Sequence, residues 1–205
     1  MKLSFRLFVK DLYHYRKMMI TSLVLFVIGI SLGAGGTDTI GQWVNPAIQQ
    51  MQEHSRGLAA SPFPELDFLK FIFFNNAIKS VAVMALGALL GVYPALFLVM
   101  NGLVIGYLVS ELGNQGENVL HLIVYGLLPH GIIEIPAILI AAGFGMQFGY
   151  VALKGIGEMA AREEGERTVV WREFFVSAIR GAFWIVILLL LAAGIESVIT
   201  YNLMN

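Results

Sequence analysis

The sequence predicts an all-α, polytopic membrane bundle of about five crossings, with a broken, re-entrant half-helix and an N-terminal interfacial amphipathic helix. Three observations carry this. Of 205 residues, 58% are hydrophobic and only 13% charged, with a mean hydropathy of +0.76. A soluble chain of this size has too little interior to hide so much apolar surface. The apolar residues fall in long runs, and a bilayer core of roughly 30 Å takes about 20 of them as helix. Finally, Lys and Arg concentrate in two short segments, which fixes an orientation. The same figures exclude an ordinary soluble enzyme and a nucleic-acid-binding domain, since a net charge of -1 leaves no basic footprint. The absence of Cys removes disulfides, thiolate metal sites and a Cys nucleophile.

Taken in order, residues 1–17 read as the interfacial helix. Phe5, Phe8, Leu12, Tyr15 and Met19 recur at helical spacing, with Lys2, Arg6, Lys10 and His14 on another face. Such a helix lies on the inner leaflet and meets anionic membrane lipid. The uncharged run 18–36 is the first crossing and ends at the helix-breaking Gly33-Ala34-Gly35-Gly36. The basic arm and the apolar stretch together are too long for a usual signal peptide, so they are read as retained. Phe71 to Ser110 is 40 residues with Lys79 as its only charge. Two crossings fit there, about 71–90 and 93–111, turning at Gly91-Val92-Tyr93-Pro94 because proline disfavours helix before it.

The run 119–153 is 35 residues with Glu134 as its only formal charge. It is too long for one crossing and marginal for two. Charge decides. The arm holds Lys2, Arg6, Lys10, Arg16 and Lys17, and 154–173 holds Lys154, Arg162, Arg167 and Arg172, whereas 37–69 has only Arg56. Placing both basic segments in the cytoplasm requires a single crossing. The excess becomes a half-helix over 119–128, broken at Pro129-His130-Gly131, before a crossing at 131–153. The last crossing is 174–201, with Arg180 and Glu196 as its charges. All of 1–205 is thus one transmembrane domain in the cell membrane, with the N-terminus cytoplasmic and the C-terminus extracytoplasmic. Residues 37–69 are an extracytoplasmic loop, long for a structureless connection and so expected to cap the bundle or meet a protein partner. Ile48, Met51, Arg56 and Leu58 suggest a short amphipathic helix within it. The cytoplasmic loop 154–173 is read as helical, supported by the pairs Glu158–Arg162 and Glu163–Arg167.

Polar residues are the informative ones inside a membrane. Asn75, Asn76 and Lys79 lie in the second crossing, Asn101 in the third, His130 and Glu134 at the helix break, and Glu196 and Thr200 in the last. Asn75/Lys79, His130/Glu134 and Glu196/Thr200 are spaced i,i+4, each pair on one helix face. They are expected to form one buried polar cluster, in which Lys79 neutralises Glu134 or Glu196. Pro129 and Gly131 free backbone groups that the cluster would satisfy. Three purposes stand open: fixing helix packing, lining an ion or small-solute path, or, far behind these, a catalytic or metal site at His130 and Glu134. His130 and Glu134 offer two metal ligands without an evident third, so no metal or cofactor is expected. No zincin or Gly-x-Ser-x-Gly motif and no phosphate loop occurs, so the chain is read as a non-enzyme.

Gly87/Gly91, Gly102/Gly106, Ala141/Gly145 and Gly145/Gly149 follow the small-xxx-small rule, which serves close packing within the chain or a homodimer.

The run Leu128-Pro129-His130-Gly131-Ile132-Ile133-Glu134-Ile135-Pro136-Ala137 resembles the signature of the stage II sporulation protein M family. The resemblance extends to Phe74-Asn75-Asn76, to Asn101-Gly102-Leu103-Val104-Ile105-Gly106, and to the stretch from Ala193 to Thr200. It implies a multi-span membrane protein without known enzymatic chemistry. In sporulating members it implies a scaffold that holds the peptidoglycan-degrading stage II sporulation proteins D and P, here through 37–69. A channel or transporter using the buried His, Glu, Lys and Asn side chains is the alternative.

Overall fold

The computed structural model describes all residues except 1, 37, 117, 122–127, 161–167 and 205; the side chains of 38, 47, 121, 128–130, 160, 196 and 198–204 also lie outside the described set. The described residues form helices α1 (Phe5–His14), α2 (Arg16–Ala34), α3 (Asp38–Ala59), α4 (Pro64–Leu86), α5 (Val92–Asn114), the short turn α6 (Val119–His121), α7 (Leu128–Ala160) and α8 (Trp171–Met204), with no strand among them. Five are long and apolar enough to cross a bilayer: α2, α4, α5, α7 and α8.

Contacts between glycines and neighbouring backbones give the helix directions. Gly29 faces Val99 and Gly33 faces Leu103, so α2 and α5 run parallel. Gly145 meets Val83 and Gly87, while Gly91 meets Met146 and Gly149. The α4–α5 turn is therefore seated on α7. Phe144 lies against Gly181 and Trp171 against Gly155, so α7 and α8 are antiparallel. It follows that α2, α5 and α8 run one way and α4 and α7 the other. The basic arm and the α7–α8 connection therefore share one end of the bundle, and α3 belongs to the opposite end.

The central helix is α7. Its stretch Ala141-Ala142-Gly143-Phe144-Gly145-Met146 is buried throughout, because small side chains let four neighbours approach the backbone. On one side Phe144, Ala137 and Ala141 join Met84, Ile185, Leu189 and Phe8. On the other, Ala142 and Met146 join Phe26, Val83 and Leu98. The turn before α5 needs left-handed backbone at Leu90 (φ 57°) and Gly91 (φ 75°); glycine adopts it without strain, and Gly149 leaves room for it.

Several boundaries differ from the sequence reading. The segment 37–69 is not a loop for most of its length. It holds the 22-residue α3, and α4 begins at Pro64 rather than 71. Proline suits the first turn of a helix, and Glu65 and Asp67 complement its positive end. The expected break does not fall at Pro129-His130-Gly131. Helix α7 starts at Leu128 and runs unbroken through these residues and through Pro136. Pro129 stands in its first turn, where the missing N–H has no helical partner to lose. Of the half-helix expected over 119–128, Val119–His121 form one turn, and 122–127 lie outside the described residues. Helix α7 also continues to Ala160, at 33 residues about 50 Å, so it projects past the bilayer. The pairs Glu158–Arg162 and Glu163–Arg167 involve residues outside the described set. Glu158 instead accepts hydrogen bonds from the Thr168 hydroxyl (2.7 Å) and the Val169 N–H (3.0 Å).

The N-terminal helix departs most. Its apolar stripe was expected against lipid, but Phe8 is 2% exposed, and Leu12, Tyr15 and Met19 pack onto the core around it. The reason is a specific latch to α8. Arg180 donates to Asp11 with both Nε (2.6 Å) and Nη2 (3.1 Å), and its Nη1 donates to the Lys2 carbonyl (3.2 Å). Trp184 Nε1 donates to the Leu3 carbonyl (3.1 Å), and the Tyr15 and Ser177 hydroxyls share a bond of 3.0 Å. Burial raises the Tyr15 pKa, with the nearby Asp11 carboxylate adding to the effect. Phe5, Val9 and Tyr13 remain exposed, so α1 keeps an apolar edge for lipid beside Arg6 and Lys10.

Candidate intramembrane polar site

The register of α4 on α7 builds this site. Gly145 packs on Gly87. Eleven residues back along each helix, about three turns, stand Glu134 and Asn76. The helices are parallel, so the two side chains arrive at the same depth and on facing sides. Asn76 hydrogen-bonds the Glu134 side chain, and Lys79 acts on it electrostatically. Asn75 Nδ2 donates to Asn76 Oδ1 at 3.3 Å. Four of the polar residues singled out from sequence are therefore neighbours: Asn75, Asn76, Lys79 and Glu134.

The others fall differently. Asn101 turns onto its own helix, its Nδ2 donating to the Phe97 carbonyl at 2.7 Å. Gly131 is buried, with the Ile135 side chain against it. The backbones of Pro129 and His130 lie in the first turn of α7, and Glu196 and Thr200 lie in α8; their side chains are outside the described residues. The pairing of Phe144 with Gly181, extended along the antiparallel helices, sets residue 196 level with the start of α7.

Two cavities adjoin this group. One of about 490 Å³ lies among α3, α4 and α5, lined by Ile48, Gln50, Met51, His54, Phe71, Asn75, Lys79 and Val104. A second of about 540 Å³ follows α4, lined by Leu58, Asp67, Lys70, Phe71, Phe74, Asn75, Ile78 and Lys79. Helix α3 forms their outer wall. It is anchored by Val44, 1% exposed, by Gly41 beneath the Tyr107 hydroxyl, and by the His54 ring against Phe71, centroids 4.4 Å apart. Among the described residues no three His, Cys, Asp or Glu side chains converge as a metal site would need.

Sequence reasoning missed the latch of Asp11, Tyr15, Ser177 and Arg180. A signal existed. Asp11 is the only acid in the basic arm, and Arg180 is the only base in the last apolar run. A lone charge inside a span calls for a partner.

The fold and this site define a polytopic α-helical membrane protein with charged and amide side chains gathered inside its spans. Its residues 22–201 match the family model described as stage II sporulation protein M, and the chain belongs to that family. It is similar to a protein of Methanocaldococcus jannaschii described as uncharacterized protein MJ0706, 29% identical over 101 residues. The match covers 49% of this chain and 42% of that relative, so the similarity spans about two fifths of the relative's length. No solved structure matches.

Proposed function

We propose that the protein is a non-catalytic membrane scaffold that captures an extracytoplasmic protein through α3 and the turn leading to Pro64. The two basic segments then lie in the cytoplasm and the C-terminus outside, as the asymmetry of Lys and Arg requires. One observation carries the reading. At the end of the bundle opposite both basic segments, α3 and its following turn present Trp43 (74% exposed), Met51 (56%) and Phe63 (71%). Exposed aromatic and Met side chains at the rim of a membrane protein are the residue types that anchor protein interfaces. In a sporulating source, the peptidoglycan-degrading sporulation proteins D and P are the partner class that family membership suggests. Within this scaffold, the group of Glu134, Asn76, Asn75 and Lys79 ties α4 to α7 by satisfying polar groups inside the bilayer.

Deletion of 47–58 is expected to abolish capture of the partner from crosslinked native membranes, while insertion of the protein persists. Equal capture with and without the segment removes α3 from the role. Failure of the full chain to recover any partner removes the scaffold itself. The competing reading is an ion or small-solute pathway, favoured by Lys79 and Asn75 lining a cavity beside Glu134. Conductance or flux by the purified protein in proteoliposomes supports that reading, and a silent protein counts against it.

A further inference from the structure

We propose that the two cavities along α3 and α4 form one binding site for an anionic membrane lipid, with its phosphate in the polar chamber and an acyl chain in the trough. The cavities share Phe71, Asn75 and Lys79 as lining residues, so they are two compartments of one space. They differ in chemistry. The chamber under α3 brings together Lys79, Asn75, Gln50 and His54, with no Asp or Glu among its described lining residues. An ammonium, two amides and an imidazole line one chamber with hydrogen-bond donors, which suits an anion with several acceptor oxygens. The trough is walled by Leu58, Phe71, Phe74 and Ile78. Its one acid, Asp67, is drawn to Lys70 at 3.6 Å. Phe74 and Ile78 are 56% and 64% exposed on a helix that crosses the membrane, so the trough opens to the bilayer.

The position of Lys79 is the second argument. It lies well inside the span Pro64–Leu86 and is exposed. No carboxylate of the described residues comes within ion-pair distance of it. Glu134 acts on Lys79 only from beyond ion-pair distance, and an ammonium at that depth is costly without a counter-charge in direct contact. A lipid phosphate entering under α3 supplies the counter-charge, and its acyl chain fills the adjoining trough. A free phosphate would satisfy Lys79 and leave the trough unused. A choline head would set a second cation beside Lys79. The assignment is thus an anionic lipid with a small polar head. It stands independently of the scaffold reading.

The test is native mass spectrometry of the purified full chain in detergent, titrated with phosphatidylglycerol, phosphatidylcholine or inorganic phosphate. The expected result is one retained phosphatidylglycerol in preference to phosphatidylcholine. Lys79→Gln should weaken that retention about tenfold, the scale of one charge-assisted contact. Gln50→Leu combined with His54→Leu should weaken it as well. Both residues line the chamber from α3, so their effect does not depend on whether the α4 variant folds. Lys10→Gln, on the basic face of α1, should leave it unchanged. Equal retention of the two lipids overturns the proposal, as does indifference to both the α3 and α4 changes. Full displacement of the lipid by equimolar inorganic phosphate makes this a free-anion site and overturns the lipid assignment. Lys79→Gln leaves the α3 anchors at Val44, Gly41 and His54 untouched, so partner capture can be scored on that protein and each reading can fail alone.

Discussion

Replacing Gly106 by Leu should lower the thermal unfolding midpoint in detergent more than any substitution on the bundle surface. The helices α2 and α5 touch backbone to backbone. A Cβ on Gly106 would run into the Ile30 carbonyl and the Ala34 nitrogen, and one on Gly102 would meet the Phe26 carbonyl and Ile30. From the other side, Gly29 and Gly33 face Val99 and Leu103 in the same way. Neither obstacle is a side chain that can rotate away, so the helices must separate along their length. Overpacking a tight core costs about 1–3 kcal/mol and occasionally more, and this site belongs at the upper end. Gly57→Leu is the control, since nothing lies within 4 Å of its added Cβ. Leu is also the better helix former, so that variant should hold or gain stability. Equal midpoints for the two variants would mean that α2 and α5 are not in backbone contact.

Asp11→Ala should give the second large loss. The Arg180 and Asp11 side chains are only 10% and 16% exposed. Removing the carboxylate strands a guanidinium that is held by two bonds to it and by one to the Lys2 carbonyl. Breaking a buried pair from one side costs on the order of 3 kcal/mol. The double variant Asp11→Leu with Arg180→Met should recover part of this, because it leaves no orphaned charge. Proteolysis of the N-terminal arm reports the structural consequence: α1 should become cleavable in Asp11→Ala and be protected again in the double variant. An arm equally resistant in all three proteins would show that packing of Phe8 and Leu12 holds α1 without the ion pair.

The number of spans and their class were legible in the sequence because a bilayer demands long apolar runs whatever the packing between them. The directions were legible through charge: a single crossing by α7 is what sets the arm and the α7–α8 connection at one end. Helix limits were less so. The sequence reading put Pro64 in a loop and a helix break at Pro129, yet both lie in first turns. Hydropathy alone also hides α3, whose polar and apolar residues average out over any window. At the site, i,i+4 spacing placed Asn75 with Lys79 on one face. It could not supply the distance from Gly145 to Glu134 along α7, which matches that from Gly87 to Asn76 along α4 and aligns the two polar groups. Asn101 shows the converse: a polar residue in a span need not join a cluster when its own helix offers a carbonyl. The latch was out of reach for a different reason. Asp11 and Arg180 are 169 residues apart, and an amphipathic stripe reads the same whether lipid or protein covers it.

The orientation of the two ends underlies the scaffold and its outer helix, and cysteine labelling tests it most directly. The chain has no Cys, so single substitutions give an unambiguous signal. Gln52→Cys, exposed on α3, should react with a membrane-impermeant maleimide in intact cells. Val170→Cys, 54% exposed before α8, should react only after the membrane is opened. Labelling of residue 170 in intact cells, with residue 52 protected, would contradict the account.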